Sequence, residues 1–267
     1  MSKSIPVGVI GAGVMGEALI AALISYGVAP ESIAISEKRK DRADELVNRY
    51  GIKVAILEEN VASAEILLLV VKPQDMATVL AEIKSAINPK AVVITFAAGK
   101  KIGFIADALG TGNPIVRVMP NTATMVGAGM AAISLGEGVG TEQSNFISGF
   151  LSATGKVVEV PEDLQDAVTA TSGSGPAYFF RFVEAMVDGA KALGLSHDVA
   201  TTLTVQTMVG AAKLLEQSGK SATTLRENVT SPNGTTAAAL ASLEADEFAT
   251  LVAAAMKAAR DRSQELA

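Results

Sequence analysis

Short runs of β-branched and aliphatic residues alternate, up to Val160, with longer stretches in which apolar positions recur at helical spacing. The runs predict strands at Val7 to Ile10, Ser32 to Ser36, Ile66 to Val71, Ala91 to Phe96 and Ile115 to Met119. Between them the spacing predicts helices over Met15 to Tyr26, Arg39 to Tyr50, Pro73 to Ile87 and Lys101 to Leu109. Pro73 suits a helix start, where its missing N–H costs nothing and its fixed φ is already helical. Two more runs, Met130 to Ser134 and Lys156 to Val160, enclose a helix near Glu142 to Ala153 and finish the sheet. This alternation predicts an α/β fold, a Rossmann-type doubly wound and mostly parallel sheet.

After Pro161 the strand pattern stops and everything reads helical, so residues 1–162 are expected to form one domain and 163–267 an all-α second one. Two long stretches, Ala167 to Phe180 and Val199 to Ala212, carry no charge. A helix that is apolar all round must be covered on every side. A domain of about 100 residues has little interior to do that, so a second subunit is expected to cover these two. The last helix differs. Phe248, Leu251, Val252, Ala255, Met256 and Ala259 share one face opposite Lys257, Arg260 and Asp261, so that face pair predicts one wet side.

Composition narrows the chemistry. Hydrophobic residues supply 49% of the 267 positions but aromatics only 4%, so Ala, Val, Ile and Leu must fill the core. With 22 Lys and Arg against 28 Asp and Glu, the net charge of -6 offers no basic field for a nucleic-acid backbone. The absence of Cys rules out disulfides, thiol nucleophiles and thiolate metal sites. His197 is the single histidine, and no acid–base partner surrounds it in the sequence, so it reads as a structural or surface residue and no metal site is expected. The segment from Met1 to Pro6 lacks the apolar run of a signal peptide. Val118 to Gly136 is uncharged but broken by Pro120, Asn121 and several Gly, so no membrane span is expected either. A reducing cytoplasm is the simplest compartment.

Gly11-Ala12-Gly13-Val14-Met15-Gly16 follows the first predicted strand and opens a helix, the place where G-x-G-x-x-G binds a dinucleotide. The first Gly makes the turn, the second lets the backbone approach a pyrophosphate, and the third packs helix on strand. The next strand ends Ser36-Glu37-Lys38-Arg39. An acidic residue here binds the ribose 2′-hydroxyl of NAD, and basic residues accommodate the 2′-phosphate of NADP. Glu37 lies further along than the roughly 20 residues usual, so it either binds that hydroxyl or simply points to solvent beside Lys38 and Arg39. That basic pair tilts the expectation toward NADPH, with NADH as the alternative.

Four more segments complete a pattern: Val70 to Gln74 (Val-Val-Lys-Pro-Gln), Arg117 to Thr122 (Arg-Val-Met-Pro-Asn-Thr), Ser172 to Tyr178 (Ser-Gly-Ser-Gly-Pro-Ala-Tyr) and Leu225 to Thr236. With the glycine turn, and in this order over nearly the whole chain, they closely resemble the pyrroline-5-carboxylate reductase family, which makes L-proline. The resemblance implies a Rossmann domain and a helical domain that interlocks with its twofold mate, in dimers often assembled into decamers. It implies reduction of 1-pyrroline-5-carboxylate by NADPH or NADH. By position, Gly11, Ala12, Gly13, Val14, Met15 and Gly16 would hold the pyrophosphate, and Ser36, Lys38 and Arg39 the adenosine ribose. Val71, Lys72, Pro73 and Ala98 would line the nicotinamide side. Ser231, Gly234, Thr235 and Thr236 match the loop that grips the substrate, with Asn228 on its cofactor side, and Glu162 and Thr169 match lesser members of that pocket. Two positions depart from the family pattern: Ala123 stands where Met-Pro-Asn-Thr is followed by Pro, and Asn233 replaces the first Gly of Ser-Pro-Gly-Gly-Thr. Asn tolerates positive φ better than most residues, so the loop is expected to keep its shape.

The chemistry fits a chain so poor in catalytic groups. An imine is basic enough to arrive partly protonated, so orientation and hydrogen-bond donors suffice and no strong acid is needed. Thr236 is the expected hydroxyl at the ring nitrogen; the plainer reading is that Thr235 and Thr236 cap the next helix. Lys72 either positions the nicotinamide or neutralises substrate charge, or is a solvated lysine at a strand end. Tyr178 and Phe179 read as packing. A β-hydroxyacid dehydrogenase shares the domain plan, but its catalytic Lys would fall at Phe179. A reductase of another cyclic imine is the alternative that the residues leave open, and a non-catalytic dinucleotide-binding protein would have no need of the substrate loop.

Overall fold

Val7–Ile10 (β1) is buried at all four positions, as a parallel strand covered on both faces must be. In the computed structural model, which describes residues 4–266, it is followed by α1 (Val14–Ser25), β2 (Ile33–Ser36), α2 (Lys40–Tyr50), β3 (Lys53–Val54) and α3 (Leu57–Ser63). Then come β4 (Ile66–Leu69), α4 (Met76–Ile83), β5 (Val92–Thr95), α5 (Ile102–Leu109), β6 (Ile115–Met119), β7 (Gly129–Leu135), α6 (Thr141–Ser152) and β8 (Gly155–Glu159). The sheet order is β3-β2-β1-β4-β5-β6-β7-β8. All neighbours run parallel except β6 and β7. The order reverses between β1 and β4, the switch point outside whose strand ends open α/β sheets bind ligands.

Apolar layers fill both faces. On one, Leu19 and Leu23 of α1, Leu46 of α2 and Phe146 and Phe150 of α6 pack on the strands. On the other, Val61, Met76, Leu80, Ile105 and Leu109 do so from α3, α4 and α5. Compared with the sequence expectation, the sheet gains β3 and the fold gains α3. Both residues of β3 are exposed, so no buried alternation marked it. Pro73 opens a 3₁₀ turn, Pro73–Asp75, and α4 starts after it.

The uncharged stretch from Ala167 to Phe180 is not one helix. It holds α7 (Gln165–Val168), a π turn over Thr169–Gly173 and the start of α8 (Gly175–Ala192). The reason is local. Thr169, Thr171 and Ser172 turn their hydroxyls onto the carbonyls four residues back, which distorts a helix. Pro176 then lacks the N–H that the Ser172 carbonyl would receive. Asn121 supplies the missing donor, its Nδ2 giving a bond to Ser172 O at 3.1 Å.

By contacts the chain forms two compact units. The sheet-bearing unit runs to Ser174 and takes in the chain again from Ala259; the other is Gly175–Ala258. The second holds α8, α9 (His197–Gln217), α10 (Ala222–Asn228), α11 (Thr235–Ala245) and most of α12 (Phe248–Glu265). Within it only Gly175, Val187, Ala200 and Thr204 are buried. Phe179, Phe180, Leu203 and Leu251 stay exposed, Phe180 at 61%. The stretch from Val199 to Ala212 is helical as expected, but this chain alone does not bury it. Among the described residues, no helix is long and apolar enough to cross a membrane.

Candidate active site

The glycine turn sits between β1 and α1, at the switch point. Gly11 has φ +86°, and a Cβ there would stand 2.6 Å from Val70 O. A Cβ on Gly16 would stand 2.5 Å from Gly11 O, so helix and turn touch backbone to backbone. At Gly13, by contrast, nothing lies within 4 Å of the missing Cβ. Two glycines are therefore demanded by packing, and the middle one fronts open space at the head of a 12-residue helix that no side chain caps. Uncapped N–H groups and the positive helix end form the seat a pyrophosphate takes. Val14 and Met15 open that helix, with Val14 exposed.

The turn is clamped from the next strand. Ala12 N–H donates to Glu37 Oε2 at 2.9 Å, and Arg42 Nε donates to Ala12 O at 3.1 Å. Of the two readings of Glu37, the solvated one is excluded: its side chain is only 12% exposed, because the Ala12 and Arg39 N–H groups hold the carboxylate. Lys38 and Arg39 are exposed beside it. Ser36 stands at the strand end, its carbonyl accepting from Gly11 N–H. Its hydroxyl turns inward, donating to Ala55 O and accepting from Asn60 Nδ2. Glu17 binds Arg42, Arg49 and Tyr50, tying α1 to α2. Burial pushes the Glu17 carboxyl up, but bonds from Arg42, Tyr50 and Arg49 outweigh it and leave it below its ordinary value. Burial and the same carboxylate raise Tyr50.

Val71, Lys72, Pro73 and Ala98 follow the ends of β4 and β5, on the edge of the sheet that also carries the glycine turn. Val71 is half-buried and lies against the turn, its Cγ1 3.3 Å from where a Gly11 Cβ would be; Lys72 is exposed. Glu162 accepts Ile102 N–H at 2.6 Å and Arg117 Nη1 at 3.5 Å. Thr169 is buried and donates to Gln165 O. Arg117, Asp166 and Ser263, which join Glu162 in one buried polar cluster, were visible in sequence only as members of a motif or not at all.

In the helical unit, Asn228 ends α10, and the chain turns through Ser231, where Gly234 N–H returns to Ser231 O at 3.0 Å. Asn233 has φ +59°, so the departure from glycine is accommodated in the left-handed region. Asn233→Ala is expected to cost about 1 kcal/mol, the penalty of that region for a side chain without Asn's local bonding; Asn233→Gly should be neutral or stabilising. Thermal melts check both, and equal melting for Ala and Asn would refute the point. Gly234 is the N-cap of α11, and Thr235 and Thr236 are its first two residues. They do not cap the helix, which leaves its first N–H groups without a side-chain acceptor.

A Rossmann sheet with this glycine turn, joined to a helical unit whose chief loop presents donors at a helix head, defines a nicotinamide-dinucleotide oxidoreductase. Residues 6–99 match the family model for NADP oxidoreductase, coenzyme F420-dependent, and residues 162–266 that for pyrroline-5-carboxylate reductase dimerisation. The chain belongs to the pyrroline-5-carboxylate reductase family. It is 42% identical to the pyrroline-5-carboxylate reductase of Synechocystis, over 98% of each chain. It is 40% identical to that of Mycobacterium tuberculosis, over 97% of this chain and 96% of the other. Among solved structures, the Coxiella burnetii reductase superposes with a TM-score of 0.91 at 33% identity, covering 99% of both chains. The Plasmodium falciparum pyrroline carboxylate reductase, solved with NADP bound, gives 0.88 at 28% identity, over 100% of this chain and 99% of the other.

Proposed function

We propose that this chain reduces 1-pyrroline-5-carboxylate to L-proline, the closing step of proline synthesis, with NADPH or NADH as donor. The observation that carries the reading is the Ser231 to Thr236 turn, which delivers hydroxyls and uncapped N–H groups to the head of an 11-residue helix. A substrate with one carboxylate and one ring nitrogen needs those donors and little else.

The glycine turn fits a dinucleotide because Gly13 leaves open the space a side chain would fill. When bound, the nicotinamide supplies the hydride that the imine carbon accepts. Gly11 to Gly16 receive the pyrophosphate, the strand end at Ser36 with Lys38 and Arg39 borders the ribose, although the Ser36 hydroxyl itself is turned inward, and Val71, Lys72, Pro73 and Ala98 bound the nicotinamide. The N–H groups of Thr235 and Thr236, with the Ser231 hydroxyl, hold the carboxylate. Asn228 is assigned to cofactor binding, and Glu162 and Thr169 to substrate binding. The Thr236 hydroxyl bonds the ring nitrogen and keeps it protonated while the C–H bond forms. Residues 1–162 are taken as the dinucleotide-binding domain and 163–267 as the dimerisation and substrate-binding domain, with Asn228 and Glu162 each serving the other domain's ligand, in a reducing cytoplasm. The test is NADPH or NADH oxidation with racemic 1-pyrroline-5-carboxylate. Absorbance decay with proline appearing supports the reading; cofactor binding without decay would leave another cyclic imine or a non-catalytic role.

The helical unit pairs with a second copy, and a decamer is the higher form. Exposed Phe179, Phe180, Leu203 and Leu251 give it an apolar surface it cannot bury by itself. Phe180→Ala is expected to weaken dimerisation about tenfold, the effect of trimming an interface aromatic by roughly 1.4 kcal/mol. Sedimentation across a dilution series checks it; an unchanged dimer constant would place Phe180 outside the interface.

A further inference from the structure

We infer that Glu37 reads the 2′ position of the adenosine ribose and makes NADH, rather than NADPH, the tighter-binding donor. The inference rests on the reading of the glycine turn as the dinucleotide seat.

Three observations support it. Glu37 is the first residue beyond β2, the strand beside β1, so its carboxylate stands next to the turn at the switch point. It is fixed rather than free. Oε2 accepts Ala12 N–H at 2.9 Å and Oε1 accepts Arg39 N–H at 3.0 Å, with the side chain 12% exposed. The next peptide of the turn is held too, its Ala12 carbonyl accepting from Arg42 Nε, and Arg42 is itself tied to Glu17 and Glu45. A carboxylate anchored this way has lone pairs left to accept the 2′- and 3′-hydroxyls of NADH and no freedom to retreat. A 2′-phosphate brought to the same place meets a like charge in a partly desolvated corner.

Lys38 and Arg39 do not reverse this. Both are exposed, and the Arg39 Nε is 4.0 Å from Glu37 Oε1, so part of its field is already used by the carboxylate. Without the carboxylate the balance inverts. Two backbone N–H groups, from Ala12 and Arg39, then converge on an empty place flanked by two cations. That is a phosphate site in all but the occupant. Glu37 therefore fills, with its own negative charge, the position that NADPH would need.

The experiment is equilibrium titration of NADH and of NADPH by nucleotide fluorescence, without substrate, on the parent, Glu37→Gln and Glu37→Ser. Melting temperatures are taken alongside, since the side chain also supports the turn. The parent is expected to bind NADH at least tenfold tighter than NADPH. Glu37→Gln, which keeps the shape and loses the charge, should cut that ratio at least tenfold, and Glu37→Ser should carry it past unity toward NADPH. A parent that favours NADPH tenfold overturns the inference. So does a Gln variant that folds and leaves the ratio within threefold. If Ser alone fails to fold, Gln still decides. A parent that binds neither nucleotide fails the dinucleotide reading itself and this inference with it, whereas normal binding without reduction of 1-pyrroline-5-carboxylate touches only the substrate.

Discussion

Thr236→Ala is expected to lose about 10²-fold in kcat, the usual worth of a positioned proton-handling group, while binding dinucleotide as the parent does. The structure makes this a clean test. Thr236 is the second residue of α11, behind a Gly234 N-cap, and no side chain caps that helix. Removing its hydroxyl therefore removes no cap, and Ala is a better helix former by a few tenths of a kcal/mol. Stability should hold or rise slightly. A fall in turnover with unchanged melting thus separates chemistry from folding. Thr236→Ser, which keeps the hydroxyl, should restore most of the rate. Stopped-flow reduction with saturating cofactor gives the answer, and a kcat within threefold of the parent would remove Thr236 from the reaction.

Arg117→Met should cost about 3 kcal/mol of stability, because it strands the buried Asp166 carboxylate. Arg117 is 3% exposed on β6 and sends Nη1 to Glu162 at 3.5 Å and Nη2 to Asp166 at 3.4 Å. Asp166 also accepts the Ser263 hydroxyl at 2.7 Å, which ties the returning end of α12 into the sheet-bearing unit. The bonds to Arg117 are long, so their own attraction is modest. The cost comes from the uncompensated charge left behind. Met fills much of the same volume, which keeps a cavity term small. Calorimetry should show a fall of roughly 2–4 °C for each kcal/mol. Arg117→Met with Asp166→Asn should recover a large part, because the stranded charge is then gone. An unchanged melting temperature for the single variant would show that water compensates the cluster.

Legibility differed by the range of the interaction involved. The seven longer strands and most helices of the sheet were readable, because burial on both faces writes a local apolar run and an amphipathic helix writes a local period. Edge strand β3 wrote nothing, since its residues are exposed. The π turn at Thr169–Gly173 was missed, since the uncharged run read as one helix and the partner that holds the break, Asn121, lies 51 residues away. Within the candidate site, the glycines could be assigned roles from their spacing, and the left-handed Asn233 from its residue type. The orientation of Glu37 could not be assigned. Its charge and its neighbours Lys38 and Arg39 suggested a solvated residue, and the bond that holds it comes from Ala12, 25 residues earlier.

The sequence by itself determined the α/β sheet followed by helices, the glycine turn after the first strand and the family, because each is written in contiguous residues. Tertiary structure alone decided which carboxylates are anchored. Glu37 on the Ala12 peptide and Asp166 between Arg117 and Ser263 depend on groups brought from distant strands and helices. Whether a charge faces water or an N–H is an outcome of desolvation and geometry in three dimensions. No local pattern of hydrophobic and polar positions records it.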